Sequence, residues 1–494
     1  MKIGSRLKVI VLGLFLCMGL FNLLYAQERV ISLEQTIRMA QKNSFEYKVA
    51  ANRYQSSVWN FRNHSASFLP SLYLDGTIPN YSRSITKITL PTGEDAFVDQ
   101  NQAFSSLNLG VRQNVGITGG VLSLSSMLDR IDILGDNPSV RYSTVPVSIS
   151  YNQDAIGYNR FKWSKKIEPL RFEVSQKKLI ADMEQIGLQS VSYYFNLFVA
   201  QSRKVLSQQN LANSEKLYNI SQERFKLGAV SQSDLLQLRL KVLQAQKELA
   251  QDSVDLVLSQ QQFQHYLTLP DGGPIVLALP DSIPFFDVGF DQALKQAYEN
   301  SESVIRFRLN RLDAEEELDR VKAESNLKFN IRANFGLSNR ADNFSQLFNH
   351  LENQQNFALS FSLPLLDWSF SKTQKLRAEA NLEIVKSQIE QDEMQFEQEI
   401  ALHTSRWNLH QQQMTISTET KEISEKNYEL EVERYLRGAI SINDLNQAQA
   451  QKDNAITAYF GAIRTYWELY YTLRRLTLYD FDKMEKLVYT LEFD

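Results

Sequence analysis

Ser214 to Gln237 reads SEKLYNISQERFKLGAVSQSDLLQ, and Ser424 to Gln447 reads SEKNYELEVERYLRGAISINDLNQ. Without a gap, twelve of these twenty-four positions are identical, among them Glu223/Glu433, Arg224/Arg434, Gly228/Gly438, Ala229/Ala439, Ser231/Ser441, Asp234/Asp444 and Gln237/Gln447. A self-match of this kind marks an internal duplication and sets the architecture before any single residue is interpreted. Within each copy, Gly228 or Gly438 suits the left-handed residue after a helix C-terminus. Ser231 with Asp234, and Ser441 with Asp444, have the spacing of a new N-cap and its acidic N3 residue. The chain therefore reverses here, and a second helix of about forty residues is expected to return antiparallel to the first. A well-made hairpin explains Gly, Ser and Asp. It does not explain why Glu223, Arg224 and Gln237 recur, so a function at the tip stands beside the purely structural reading.

The duplication extends outward. Ser32–Ser44 (SLEQTIRMAQKNS) lines up with Gly289–Ser301 (GFDQALKQAYENS), each with a capping-type residue and an acid in the first turn. Each is followed by a helical stretch, short alternating segments and then a very long helical stretch. From about Lys375 to Leu436 there is neither proline nor glycine. Leu382, Val385 and Ile389, then Phe396, Ile400, His403, Trp407, His410 and Met414, recur at three- and four-residue steps, the pattern of a coiled-coil seam. The matching stretch, about Phe172 to Phe225, is interrupted only by Gly187. Each rod is expected to reach about 65 residues, or roughly 100 Å at 1.5 Å per residue. Pro270, Gly272, Gly273, Pro274, Pro280 and Pro284 forbid regular helix between the copies. The expected organisation is residues 1–26 as signal peptide, 27–268 as first repeat, 269–286 as linker and 287–494 as second repeat.

Lys2, Arg6 and Lys8 precede an apolar run from Val9 to Leu24, with Ala26 at a plausible cleavage position, which reads as a secretory signal. Cys17 lies inside it behind the bulky Leu16, which argues against a lipoprotein signal. Its removal takes away the only cysteine, and with it disulfide and thiol chemistry. Loss of those three cations leaves 50 basic residues against 57 acidic, a net charge of −7, which gives no reason to expect nucleic acid as a partner. No other stretch approaches the roughly twenty apolar residues of a spanning helix. If the chain crosses a membrane, it does so with strands.

Candidate strands are Leu69–Ser84, Ser105–Ile117, Lys328–Leu337 and Phe357–Leu365. Leu107, Leu109 and Val111 alternate with Asn108, Gly110 and Arg112; Phe357, Leu359, Phe361 and Leu363 alternate with small residues. Strands of about ten residues, apolar on one face, fit a membrane barrel with a wet lumen, and fit a half-buried soluble sheet as well. Two strand pairs cannot close a barrel, so several chains would have to contribute. The first copy carries extra material after Gly119-Gly120, including the alternating Val140–Asn152, which reads either as a further barrel hairpin or as an external loop.

The tandem order, SLEQTIRMAQKN at Ser32–Asn43, FLPSL at Phe68–Leu72, SLPLLDW at Ser362–Trp368 and the paired turns RFKLGAVSQSDL and RYLRGAISINDL resemble the outer-membrane efflux protein family of TolC-like channels. The resemblance covers essentially the whole chain after the signal. It implies a mixed α and β membrane protein: a homotrimer whose pooled strands form one outer-membrane β-barrel, continued by an α-helical coiled-coil tunnel in the periplasm of a Gram-negative cell. It also implies a periplasmic adaptor (membrane fusion) protein and an inner-membrane pump of RND or ABC type as partners, besides outer-membrane lipid. Drug efflux, metal efflux and type I secretion all use such a duct. Gly228, Gly438, Ala229, Ala439, Ser231 and Ser441 match the tip where the adaptor docks. Asp444 and Asp234 match acidic positions at the periplasmic gate, with Tyr435 beside them; Asp234 also reads as a capping partner of Ser231. Gln447 stands where the family has a second ring aspartate, and Ile440 replaces a latching arginine, so the resemblance implies neither a doubly acidic nor a tightly latched gate.

Chemistry is sparse otherwise. His403 and His410 share a face with Trp407 between them and read as seam packing; no cofactor or metal is expected. Phosphate-binding glycine loops and a GxSxG elbow are missing, so an enzyme is not expected. The competing readings are a periplasmic coiled-coil adaptor or structural rod without a channel, which would carry one hairpin rather than two, and, more remotely, a hydrolase with helical insertions.

Overall fold

The computed structural model describes residues 29–491 except 136, 155, 271, 272, 274, 281, 282 and 326, and the expected signal segment lies outside the described residues. The described chain runs β1 (Arg29–Ile31), α1 (Leu33–Asn43), α2 (Phe45–Ala66), β2 (Ser71–Thr89), β3 (Asp95–Val115), β4 (Gly120–Ile133), β5 (Ser139–Gln153), α3 (Arg160–Lys226), α4 (Gln232–Tyr266), β6 (Ile275–Leu277), α5 (Phe290–Asn300), α6 (Glu302–Ser325), β7 (Lys328–Ala341), β8 (Glu352–Ser362), α7 (Phe370–Leu436), α8 (Ile442–Thr477), β9 (Tyr479–Asp480) and β10 (Glu485–Lys486), with one short 3₁₀ turn before β8. The order helix, strands, long helix, turn, helix occurs twice, as the self-match requires. The two compact units do not follow the repeats: one takes residues up to 55, 175–302 and from 394 on, the other 56–174 and 303–393.

The first unit holds the greater part of the two hairpins; α3 up to residue 174 and α7 up to residue 393 belong to the second. α3 and α7 are each 67 residues long, close to the expected length. α3 begins twelve residues before the expected Phe172 and includes Pro169, which forfeits one backbone hydrogen bond on an exposed turn. The returning helices α4 and α8 have 35 and 36 residues. The seam read from α7 is buried in its middle, where Phe396, Ile400, Trp407, His410 and Met414 lie inside, whereas Leu382, Val385, Ile389 and His403 are half-buried. His410 is held there by Nε2 against the Ala462 carbonyl at 2.8 Å. Phe195, Tyr194, Phe263 and Ile186 form the core against α1; full burial of side chains such as Phe195 and Ile186 contributes about 1.5–3 kcal/mol each. Gly187 belongs to that packing, because a Cβ there would lie 2.7 Å from the Tyr471 ring. The proline-rich linker is not wholly irregular: β6 pairs in parallel with β1, Val30 opposite Val276.

The second unit contains one antiparallel six-stranded sheet in the order β2-β3-β4-β5-β7-β8. The segment after Gly119 supplies β4 and β5, so the chain brings three strand pairs and not two. β4 is paired along its length on both sides, from Val115↔Gly120 to Gln102↔Ile133 and from Val121↔Asn152 to Ile133↔Ser139. The strands also exceed the expected ten residues, with 19 in β2 and 21 in β3. Pro79 sits at a register shift between Thr77 and Asn80 on β2, an edge strand, where its missing N–H costs no ladder bond.

Candidate functional site

The repeated turn closes each long helix in the same way. Ala229 N–H reaches the Arg224 carbonyl at 2.9 Å and Gly228 N–H the Phe225 carbonyl at 2.9 Å; Ala439 and Gly438 repeat this with Arg434 and Tyr435 at the same distances. These are the crossed bonds of a Schellman ending, whose turn residue is left-handed. Gly228 and Gly438 both have φ +78°. Ser231 and Ser441 then cap the returning helices, accepting from the Asp234 and Asp444 amides at 3.1 and 3.2 Å. Each serine hydroxyl also donates to its aspartate carboxylate, at 2.7 and 2.8 Å. Asp444 completes a full capping box by accepting the Ser441 amide at 3.0 Å. These donations, the hydroxyl first and the amide second, hold the exposed Asp444 carboxyl below the usual carboxylate range.

The two tips meet. Tyr435 is buried, and its hydroxyl lies 3.2 Å from that of Ser221. Arg224 donates to the Leu436 carbonyl at 3.3 Å, at the negative end of α7. Beneath them Leu238, Tyr428, Tyr435, Ile442, Leu445 and Ala448 form a small core, against which Ile440 packs. The duplicated arginines therefore do different work: Arg224 bridges the tips, whereas Arg434 pairs with Glu431 at 2.7 Å. Glu223 and Glu433 pair locally with Lys226 and Arg437. Ala229, Ala439 and Gln447 are exposed, as is Asp444, while Asp234 is half-buried. The structure thus brings Ser231 with Asp234 and Ser441 with Asp444, and sets Tyr435 inside the tip core. The Ser221–Tyr435 contact was not legible, because Ser221 has no serine counterpart in the second copy, where Glu431 stands.

In the second unit, residues directly opposite one another across the ladders share a face. Leu72, Leu74, Leu109, Leu122, Leu124 and Ile149 lie on one side, continued by Phe335, Phe357, Leu359 and Phe361. All ten are exposed. The opposite face carries Ser123, Ser125, Ser148, Ser150, Asn330 and Asn334, with Ser148 donating to Asn334 at 2.7 Å. A continuous, uncovered apolar sheet face is far larger than the scattered apolar residues of a soluble surface. No helix among the described residues is long and apolar enough to cross a membrane.

Comparison with known proteins bears on this geometry. Residues 293–477 match the outer membrane efflux protein family. No curated protein matches the chain in sequence. Among solved structures, the fold is similar to the Campylobacter jejuni CmeC outer membrane channel (TM-score 0.63, 16% identity, covering 90% of this chain and 85% of that one). It is also similar to the outer membrane protein VceC of Vibrio cholerae (0.62, 13%, 90% and 95%) and to the open state of the Neisseria gonorrhoeae MtrE outer membrane channel (0.59, 16%, 90% and 88%). Residues 293–477 thus carry an outer membrane efflux protein domain, and about 90% of the chain has the TolC-like channel fold, as the resemblance led us to expect.

Proposed function

We propose, from an outer membrane efflux domain in the second repeat and a TolC-like fold over about 90% of the chain, that this protein is the passive outer-membrane exit duct of an envelope export system. Its strands sit in the outer membrane and its hairpins in the periplasm. It works as a homotrimer, with a periplasmic adaptor and an inner-membrane pump supplying the energy, in efflux or in type I secretion. The observation that carries this reading is the six-stranded sheet, apolar and exposed on one face, polar on the other, with β2 and β8 as unpaired edges. A lone soluble sheet with such a face and two open edges invites aggregation; lipid outside and edge-to-edge pairing around a ring resolve both. With six strands in this sheet, three copies supply eighteen, a size at which barrels leave an aqueous channel.

The hairpins support the same assembly. On α7, Leu402, Leu409, Ile416, Ile423 and Leu430 recur every seven residues and are all exposed. On α4, Leu236, Leu240, Leu243, Val254 and Val257 form a second exposed stripe with heptad spacing. Such seams are the signature of helices that mate with partner helices, here those of neighbouring copies. A periplasmic rod accounts for the seams but leaves the apolar sheet uncovered. At the tips, Gly228, Ala229 and Ser231 with Gly438, Ala439 and Ser441 form the adaptor-docking surface. Asp444 lines the gate, with Asp234 and Gln447 on neighbouring turns and Tyr435 holding the two tips together. Reconstitution into planar bilayers tests the reading: stepwise conductance from a protein recovered in the outer-membrane fraction is expected, whereas a soluble, non-conducting protein would refute it.

A further inference from the structure

Seven cations stand where the two longest helices leave the sheet. α3 begins with Arg160, Lys162, Lys165 and Lys166, and α7 with Lys372, Lys375 and Arg377. All seven are exposed. None forms an ion pair among the described residues; the ion pairs nearby use Arg171 and Arg320. Like charge is disfavoured at the positive end of a helix. The other six helices respect this, with Glu34, Glu46, Asp234, Asp291, Glu302 and Asp444 in their first turns. α3 and α7 have no acid in the first turn; α3 is capped by the neutral Asn159, which accepts the Lys162 amide at 3.0 Å, and α7 by the single carboxylate of Asp367, which accepts the Ser371 amide at 2.9 Å, against three cations on its first eight residues. Acids on α6 are already engaged: Tyr158 donates to Glu316 at 2.7 Å, Trp163 to Asp319 at 2.8 Å, and Arg320 holds Glu317 and Glu324. Three of the cations instead lie over rings, Lys165 over Phe68, Arg160 over Phe161 and Lys166 over Trp163, at 4.7 to 5.0 Å. Helix stability gives no reason for these charges; an external anion would.

The register identifies what lies next to them. Val115↔Gly120, Val121↔Asn152, Gln153↔Ile331 and Lys328↔Ser362 form one end of the sheet, the end from which α3 and α7 depart. There stand the three most exposed large apolar side chains of the unit, Ile117 at 93%, Leu365 at 90% and Trp368 at 88%, with Leu366 beside them at 75%. An apolar rim with a tryptophan, followed at once by unpaired cations, has the profile of a membrane interface facing anionic headgroups.

We propose that this end of the sheet binds anionic glycerophospholipid, its rim entering the acyl boundary and Arg160, Lys162, Lys165, Lys166, Lys372, Lys375 and Arg377 receiving the phosphates. The proposal rests on the outer-membrane reading and adds a lipid class and a surface to it. Native mass spectrometry of the detergent-purified protein, mixed with equal phosphatidylglycerol and phosphatidylcholine, tests it, whether or not the preparation conducts. The wild type should retain phosphatidylglycerol over phosphatidylcholine by about tenfold. A Lys162→Gln, Lys165→Gln, Lys372→Gln, Lys375→Gln variant should lose most of that preference and keep wild-type single-channel conductance. Equal retention of both lipids by the wild type, or an undiminished preference in the variant, would overturn the headgroup surface. Absent conductance with the preference intact would instead count against the channel and leave the surface standing.

Discussion

At Gly438 and Gly228 the turn demands φ +78°, and a β-branched side chain there is strained by about 1–2 kcal/mol. Space is not the main obstacle: a Cβ at Gly228 meets nothing within 4 Å, and one at Gly438 meets only the far end of the Arg224 side chain, at 3.3 Å. Val at both positions should therefore impair export while leaving the assembled protein intact on a gel, and Asn, which tolerates the left-handed region, should do less harm. Full export with Val at both would remove the docking role. Asp444 has two roles to separate. As a cap it serves one helix; as one of three carboxylates near a symmetry axis it would focus negative potential and favour cations. Asp444→Asn should lower cation selectivity in reversal-potential measurements, whereas an unchanged selectivity would leave it as a cap alone. Its depressed pKa gives the sign of the pH effect. The cap's contribution is present above the ordinary carboxylate value, about 3.9, and is lost as pH falls through the lower folded value. Protection of the tip amides, taken relative to their intrinsic exchange rate at each pH, should accordingly stay flat from pH 7 to about 5.

The elements are held by contacts that no helical pattern announces. Glu184 on α3 is fully buried and takes both guanidinium arms of Arg474 on α8, at 2.7 and 3.0 Å. Arg474 also binds the buried Asp480, and Tyr489 donates to Glu184 at 2.9 Å, so the final segment is pinned onto the hairpins. Burial works against charge on Arg474, but the Glu184 pair and its neighbours keep it firmly protonated. Arg474→Met leaves two buried carboxylates without their cation and should cost about 3–5 kcal/mol. Hydrogen exchange should quicken first across residues 479–491; protection equal to wild type there would show that the network is dispensable.

Over the whole molecule, the uncovered seams make assembly the sensitive property. Ile416→Asp with Ile423→Asp places charge in the α7 stripe and touches neither the buried face of that helix nor the sheet. The mass in detergent should fall from trimer to monomer, with far-UV helicity retained. A stable trimer in this variant would remove the α7 stripe from the interface. Wild-type protein that is monomeric or dimeric in detergent would remove the trimer itself.

The hairpins and rods were legible from the amino-acid order because their information is local. A left-handed glycine, a Ser-x-x-Asp cap and a three-four apolar step act within a few residues, so the turn at Gly228 and Gly438 and the buried face through Phe396, Ile400 and Trp407 were readable without a partner. The sheet's apolar alternation was equally local, but its membership was not. Whether Val140–Asn152 joined the sheet depended on Leu124 meeting Ile149 and Ile149 meeting Phe335, pairings between segments far apart in the chain. The same holds for β1 with β6, for Arg224 reaching Leu436, and for Glu184 finding Arg474. A sequence states which side a residue turns toward within its own element; only the folded chain decides which distant backbone edge or charge occupies that side, because those energies exist only once the segments meet.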